Sequence, residues 1–183
     1  GEMMFHTDGA YDENPYNYTM LYALELPSNG GNTLFANMYK AYQELDNDLK
    51  QKLANCTANH GYYSATVQRG EHQGAFSGEF AHPVFIEHNE TGRTALYISR
   101  LLTLRIPELS KKESDLVLDK LFDHSERREF IYEHVWKVGD LVMWDNRCIN
   151  HARTDFSRTE RRLLRRNVIQ GVRPKRGRVE IAA

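Results

Sequence analysis

The sequence predicts a β-rich α+β domain, and three observations carry that prediction. Short apolar runs alternate with joints rich in Gly, Pro, Asn and Ser. Only two stretches show helical periodicity, and no regular strand–helix–strand repeat runs through the chain. With 183 residues and 40% hydrophobic composition, the chain can bury one substantial core. Residues 1–183 therefore read as a single domain, with 175–183 as a C-terminal tail.

Residues 19–26 form a short apolar run closed by Pro27, Ser28, Asn29, Gly30 and Gly31, the pattern of a strand entering a tight turn. A second strand is expected over 33–36. Tyr42, Leu45, Leu49 and Leu53 then recur at helical spacing and predict one helix over 39–53. Residues 61–78 lack periodicity and read as a long loop, a length that is unusual unless the loop is disordered or has a function such as covering a site. A strand over 94–99 follows the turn-like Glu90-Thr91-Gly92-Arg93. Ser110 and Glu113 have capping-box spacing, and Leu116, Val117 and Leu121 continue a helix to about His124. A strand interrupted at Gly139-Asp140 is expected over 135–144. The last strand spans 163–169, where a period of two puts Leu164, Arg166 and Val168 on one face with Arg162. Arg161 and Arg165 then face outward, and Trp136 and Trp144 read as core residues.

Bulk properties exclude several classes. The 24 basic and 25 acidic residues leave a formal charge of −1, which argues against a general nucleic-acid binder despite the arginines from Arg158 to Arg178. Cys56 and Cys148 are too few for a disulfide framework and lack zinc spacing, which points to a reducing, cytoplasmic setting. No run approaches the roughly 18 apolar residues of a membrane span, and no signal peptide precedes His6.

His6-Thr7-Asp8 and the distant His151 supply two imidazoles and one carboxylate. From an extended segment His6 and Asp8 point the same way. Such a set suits a borderline divalent metal such as iron, with coordination positions left open. The donors alone do not choose among iron, zinc and manganese. Cys148 is expected to pack near this site rather than react, with Asp145 and Asn146 holding the approach to His151 through local hydrogen bonds.

Five blocks in order carry a resemblance that covers residues 1 to about 174. They are Phe5-His6-Thr7-Asp8; Leu26-Pro27-Ser28-Asn29-Gly30-Gly31-Asn32-Thr33-Leu34-Phe35; His82-Pro83-Val84-Phe85 with Thr91-Gly92-Arg93 and Ala95-Leu96-Tyr97; Gly139 through Trp144-Asp145-Asn146-Arg147 to His151; and Arg161-Arg162 through Arg166. Together they resemble the taurine dioxygenase / 2,4-dichlorophenoxyacetate dioxygenase family of Fe(II)- and 2-oxoglutarate-dependent oxygenases. The resemblance implies a double-stranded β-helix (jelly roll, cupin-like) with flanking helices. Strands expected ahead of His6 make the chain N-terminally incomplete on this reading.

The resemblance also implies roles. His6, Asp8 and His151 would hold Fe(II); Thr33 and Arg162 would hold 2-oxoglutarate; Arg166 would lie near both the cosubstrate and an acidic group of the substrate. With O2 as the other cosubstrate, the enzyme would hydroxylate a C–H bond and release succinate and CO2. A small anionic or amino-acid-like substrate is expected, such as a sulfonate, carboxylate or aryloxyalkanoate. Glu2, acidic just ahead of the metal motif, would favour an amine on it, and Tyr62, Tyr63 and His72 would cover it. No nucleic acid or membrane partner is expected, and a homo-oligomer is left open. Two rival classes remain: a cupin-like metal hydrolase or isomerase using the same ligands, and a non-catalytic small-molecule-binding domain. Arg162 and Thr33 argue against the hydrolase, which needs no dicarboxylate clamp.

Overall fold

The computed structural model describes residues 2–70 and 74–180. Two sheets frame the molecule. The first has four strands in the order β1 (Met3–His6), β11 (Ile149–Arg153), β3 (Thr33–Asn37), β9 (Ile131–His134). The second has three, β10 (Leu141–Asp145), β2 (Tyr16–Glu25) and β12 (Leu163–Gln170). Successive strands β1, β2, β3 and then β9, β10, β11, β12 alternate between the sheets, and all pairings within them are antiparallel. That winding is the double-stranded β-helix. The sheets meet through Trp144 of β10, whose ring lies 5.3 Å from Phe35 and 4.5 Å from His151.

Alternation along β2 shows why these residues form strands. Thr19 and Ala23 are fully buried between the sheets, whereas Tyr22 and Leu24 face outward. On β12, Arg166 pairs with Leu21 and Val168 with Thr19, which sets Arg166 on the inward face as the period of two requires. Arg165 and Arg161 are exposed.

Two smaller sheets complete the structure. One joins β4 (Thr57–Tyr63), β5 (Phe76–Pro83) and β8 (Thr103–Arg105); the other joins β6 (Phe85–Glu87), β7 (Thr94–Leu96) and β13 (Lys175–Arg176). The main apolar core lies where α1 (Met38–Gln43) packs on β7 and α3 (Lys111–Ser125) packs on β8 and α1, burying Met38, Phe85, Leu96, Leu118, Leu121 and Phe122.

Several expectations are corrected. The single helix over 39–53 is two, α1 and α2 (Asn47–Leu53), so the described residues contain three α-helices rather than two. The Asp46 carboxylate accepts from the amides of Asp48 and Leu49 at 2.9 and 3.4 Å and starts a new helix there. The apolar spacing survives the break because Leu45 and Leu53 are both buried. Residues 61–78 are not one loop: β4 runs to Tyr63 and β5 begins at Phe76, a hairpin built despite its polar composition. The 94–99 strand shortens to Thr94–Leu96, and β9 was not expected. Residues 135–140 turn instead of extending, because Asp140 Oδ2 accepts from the Lys137 amide at 2.9 Å and from His134 Nε2 at 3.1 Å.

The capping box is present. Ser110 Oγ accepts from the Glu113 amide at 3.3 Å, and the Glu113 carboxylate accepts from the Ser110 amide at 3.3 Å. Ser110→Ala is expected to cost about 1 kcal/mol in chemical denaturation. An unchanged midpoint would show that α3 is held by packing alone.

Candidate metal centre

His6 ends β1, and the register of the β1–β11 pair sets it directly opposite His151. The two rings therefore approach to 4.1 Å. The strand stops at His6, and Asp8 sits in the following turn rather than on an extended segment. Gly9 permits that turn: its φ is +78°, and a Cβ there would lie 3.1 Å from the Tyr16 amide nitrogen. The turn brings Asp8 Oδ1 to 3.9 Å from His6 Nε2, and Asp8 Oδ2 to 3.9 Å from His151 Nε2.

These separations are too long for hydrogen bonds. They are short enough for one ion about 2.1 Å from each donor, and one ligand atom from each residue lies within 4.8 Å of the others. The donor chemistry fits a divalent cation. His6 Nδ1 lies 2.9 Å from the Met4 carbonyl and donates its proton there, which leaves Nε2 as a lone pair facing Asp8. Burial lowers the pKa of His6, and burial with the neighbouring His6 pushes His151 down to about 3, so both imidazoles stay neutral. For Asp8 burial acts the other way. It is outweighed by His151, His6 and Arg166 together with the Thr19 hydroxyl, which hold the carboxylate below its usual range. The result is a set of two neutral nitrogens and one anionic oxygen.

A cavity of about 280 Å³ opens onto this cluster, lined on its apolar side by Met3, Tyr11, Leu21, Tyr62 and Leu102. Tyr11 and Tyr62 stack at 5.4 Å. Arg166 reaches the cavity from β12, its NH2 3.0 Å from Asp8 Oδ1. Arg166 is thus brought together with the three metal-ligand candidates.

Thr33 and Arg162 are not among the residues that line the cavity. Thr33 is buried in β3, and its Oγ1 accepts from the Trp136 indole at 2.9 Å. Arg162 lies one residue before β12, with Nε donating to the Gly31 carbonyl at 2.8 Å. Gly31 allows that approach, since its φ is +67° and a Cβ there would meet Arg162 Cδ at 3.0 Å. Burial, and then the charge of Arg153, bring the Arg162 guanidinium down to about 10. Arg153 stands directly opposite Thr33 in the β11–β3 ladder. Burial lowers the Arg153 pKa as well, with Asp155 opposing it, so positive charge gathers at this corner of the ladder. Sequence reasoning missed Arg153; its place two residues after His151, on the same strand face, is the signal that points to it.

Glu2 is exposed and does not line the cavity, whereas its neighbour Met3 does. Tyr62 is in the wall, Tyr63 is not, and His72 lies outside the described residues. Asn146 proves more than a local spacer, because it reaches Asp8 and Thr19 across the fold.

A second cluster, His88, Asp145 and Cys148, also draws its donors within 4.8 Å, but its donors are committed elsewhere. Asp145 accepts from Arg147 at 2.6 and 2.8 Å and from His88 Nε2 at 2.9 Å. His88 Nδ1 accepts from the Glu90 and Thr91 amides, and burial pushes the Cys148 thiol up to about 11. This is a knot that ties the turn after β10, with Cys148 packed as expected.

A double-stranded β-helix with a His-X-Asp pair and a distant His between its sheets defines a jelly-roll protein with a candidate mononuclear metal centre. The chain belongs to the TauD/TfdA family: the model described as "Taurine catabolism dioxygenase TauD, TfdA family" matches residues 1–167. Pentalenolactone F synthase of Streptomyces avermitilis is 39% identical, over 91% of this chain and 60% of that protein. The alpha-ketoglutarate-dependent 2,4-dichlorophenoxyacetate dioxygenase of a Burkholderia species is 34% identical, over 93% and 59%. The crystal structure of AAD-2 in complex with Mn(II) and N-oxalylglycine matches with a TM-score of 0.85 at 30% identity, covering 94% of this chain and 70% of that one. The chain spans about three fifths of the length of these two curated relatives.

Proposed function

We propose that this chain carries the catalytic core of an Fe(II)- and 2-oxoglutarate-dependent dioxygenase that hydroxylates a C–H bond of a small anionic substrate. The observation that supports it most is the convergence of His6, Asp8 and His151 within 4.8 Å, with Arg166 at the same carboxylate, in a chain of this family. Iron with 2-oxoglutarate and O2 would supply the oxidising chemistry, with succinate and CO2 as the other products. The protein supplies position and charge. His6, Asp8 and His151 would hold the metal on one face, and a single carboxylate leaves the centre net positive toward an anionic chelator.

Arg162 and Thr33 are assigned to the distal carboxylate of 2-oxoglutarate, with Arg153 adding positive potential behind them. A planar guanidinium offers that carboxylate paired donors, and the anion in turn offsets the cost of burying two cations. Arg166, half-exposed in the cavity, is assigned to the acidic end of the substrate. Tyr11, Tyr62, Leu21 and Leu102 then present apolar and aromatic surface to the remainder, in a volume near the lower bound of small-molecule sites. This lining favours a carboxylate or sulfonate with an apolar body over a substrate bearing an amine. Both cysteines are free and buried, which supports a reducing, cytoplasmic setting. Among the described residues no helix is long and apolar enough to cross a membrane.

Anaerobic addition of Fe(II) and 2-oxoglutarate should produce a visible charge-transfer band, followed in air by succinate release that an accepted substrate stimulates. Absence of both band and succinate would favour the hydrolase or binding-domain readings. Arg162→Gln should raise the 2-oxoglutarate concentration required for the band by about 10- to 100-fold, the loss of a charge-assisted hydrogen bond. An unchanged requirement would remove Arg162 from the cosubstrate site.

A further inference from the structure

Asp8 is gripped from behind by a chain of hydrogen bonds whose direction can be worked out. Its Oδ2 is 2.6 Å from Thr19 Oγ1, and Thr19 Oγ1 is 2.9 Å from Asn146 Nδ2. Asn146 Oδ1 lies 3.0 Å from the Trp144 indole nitrogen and 3.3 Å from the Asp8 amide nitrogen. Both of those partners can only donate, so the Asn146 atom facing them must be its oxygen. The NH2 group of Asn146 then points at Thr19 and can only donate. Thr19 Oγ1 must accept there, and its single proton is left for Asp8. Polarity runs one way: Trp144 to Asn146 to Thr19 to Asp8.

The chain is rigid and dry. Thr19 is 0% exposed and Asn146 is 2% exposed, so water does not compete for these bonds. Thr19 sits on the central strand of its sheet, paired with Trp144 on one side and Val168 on the other. Asn146 occupies the turn tied down by Arg147, which bonds Asp145 and reaches Glu90 at 2.9 Å and the Tyr18 hydroxyl at 2.6 Å. The Thr7 hydroxyl adds a bond of 2.8 Å to the Asn146 carbonyl and closes the segment from the metal motif's side. The other carboxylate oxygen, Oδ1, is met by Arg166, a half-exposed side chain on a neighbouring strand, and faces His6 Nε2.

We propose that Thr19 and Asn146 are positioning residues that hold Asp8 Oδ2 and so fix the rotation at which the carboxylate would meet its metal. The proposal rests on the metal reading of His6, Asp8 and His151. The hydroxyl, itself fixed by Asn146, sets the rotation of the carboxylate plane and so the direction of its lone pairs. Neither residue touches the metal; both act through Asp8.

The test is titration of Co(II) into the iron-free protein, followed by calorimetry and by the visible absorption of the bound ion. Thr19→Val keeps the β-branched shape and removes the hydroxyl, while Thr19→Ala removes it without placing a methyl against Asn146. Both should weaken Co(II) binding by about 10- to 100-fold and change its absorption spectrum, and Thr19→Ser should restore both. A role in folding alone would lower the melting temperature and leave the spectrum of the bound ion unmoved. Wild-type affinity and spectrum in a folded Thr19→Val or Thr19→Ala protein would overturn the positioning role and leave the metal centre standing. Wild-type protein that takes up no Co(II), or takes it up equally after His151→Ala, would overturn the metal reading and the positioning role with it.

Discussion

Replacing His151 with alanine is expected to weaken divalent-metal uptake by at least about 100-fold, beyond what loss of a supporting residue costs. Three donors converge here, and His151 contributes one of the two neutral nitrogens. Its ring also fills space, packed at a tilt 4.1 Å from His6 and 4.5 Å from Trp144, so alanine leaves a cavity as well as a missing ligand. A loss of stability of roughly 2–4 kcal/mol should accompany the loss of metal. Asp8→Asn separates the two effects. It conserves volume and an acceptor for Thr19, while it removes the charge that Arg166 pairs with at 3.0 Å. Metal affinity should fall in both variants, with the larger drop in melting temperature confined to His151→Ala. A folded Asp8→Asn protein that binds Co(II) like wild type would show that the cluster is not a metal site.

Acid is expected to destabilise this protein progressively from about pH 6.5 downward, before its carboxylates begin to titrate. His60 is completely buried; its Nδ1 lies 3.2 Å from Thr103 Oγ1, and its Nε2 has no hydrogen-bond partner among the described residues. His82 lies 5.8 Å away ring to ring, also fully buried, and Tyr97 packs edge-on against both. Burial, and then the neighbouring His82, push the His60 pKa down to about 3, and burial lowers His82 as well. Between pH 6.5 and that depressed value the unfolded chain binds a proton that the native protein refuses. Stability is therefore complete above about pH 6.5 and is lost as the pH falls, on the order of 3 kcal/mol by pH 4 from His60 alone. The depressed pKa values of His6 and His151 act in the same window and the same direction. Denaturant midpoints measured from pH 7.5 to 4 should therefore decline steeply. His60→Phe, which keeps a ring and removes the proton, should flatten part of that slope. A slope unchanged in this variant would mean that His60 is protonated or solvated in the native state.

Much of the site was legible before any fold was known, and its legible parts share a property. His6 and Asp8 stand two residues apart, and Arg162 and Arg166 four apart, so short-range spacing grouped each pair, and the resemblance to the family joined the pairs to His151. Arg166 does face inward from β12 as the alternation requires. Glu2 illustrates the opposite case. Its nearness in sequence to His6 suggested a role, but strand β1 turns Met3 toward the cavity instead. The helix break at Asp46 was missed because apolar spacing continues across it, whereas the capping aspartate marks it. The β4–β5 hairpin was missed because its strands are polar and carry glycines. Their pairing is held by the partner strands rather than by an apolar stripe.

By itself, the sequence determined the strand-rich class and the start of α3, because both are written in periods of two to four residues that local backbone geometry enforces, while His6, Asp8 and His151 were nominated as metal donors by the resemblance to the family. Tertiary structure alone decided which residues meet. The β1–β11 register sets His151 against His6, and Asn146 reaches Thr19 and the Asp8 backbone over 127 and 138 residues of chain. Pairing across a sheet and hydrogen bonding across a buried interior depend on the path of the whole chain. Contacts of that kind leave no short period in the sequence from which the partner can be read.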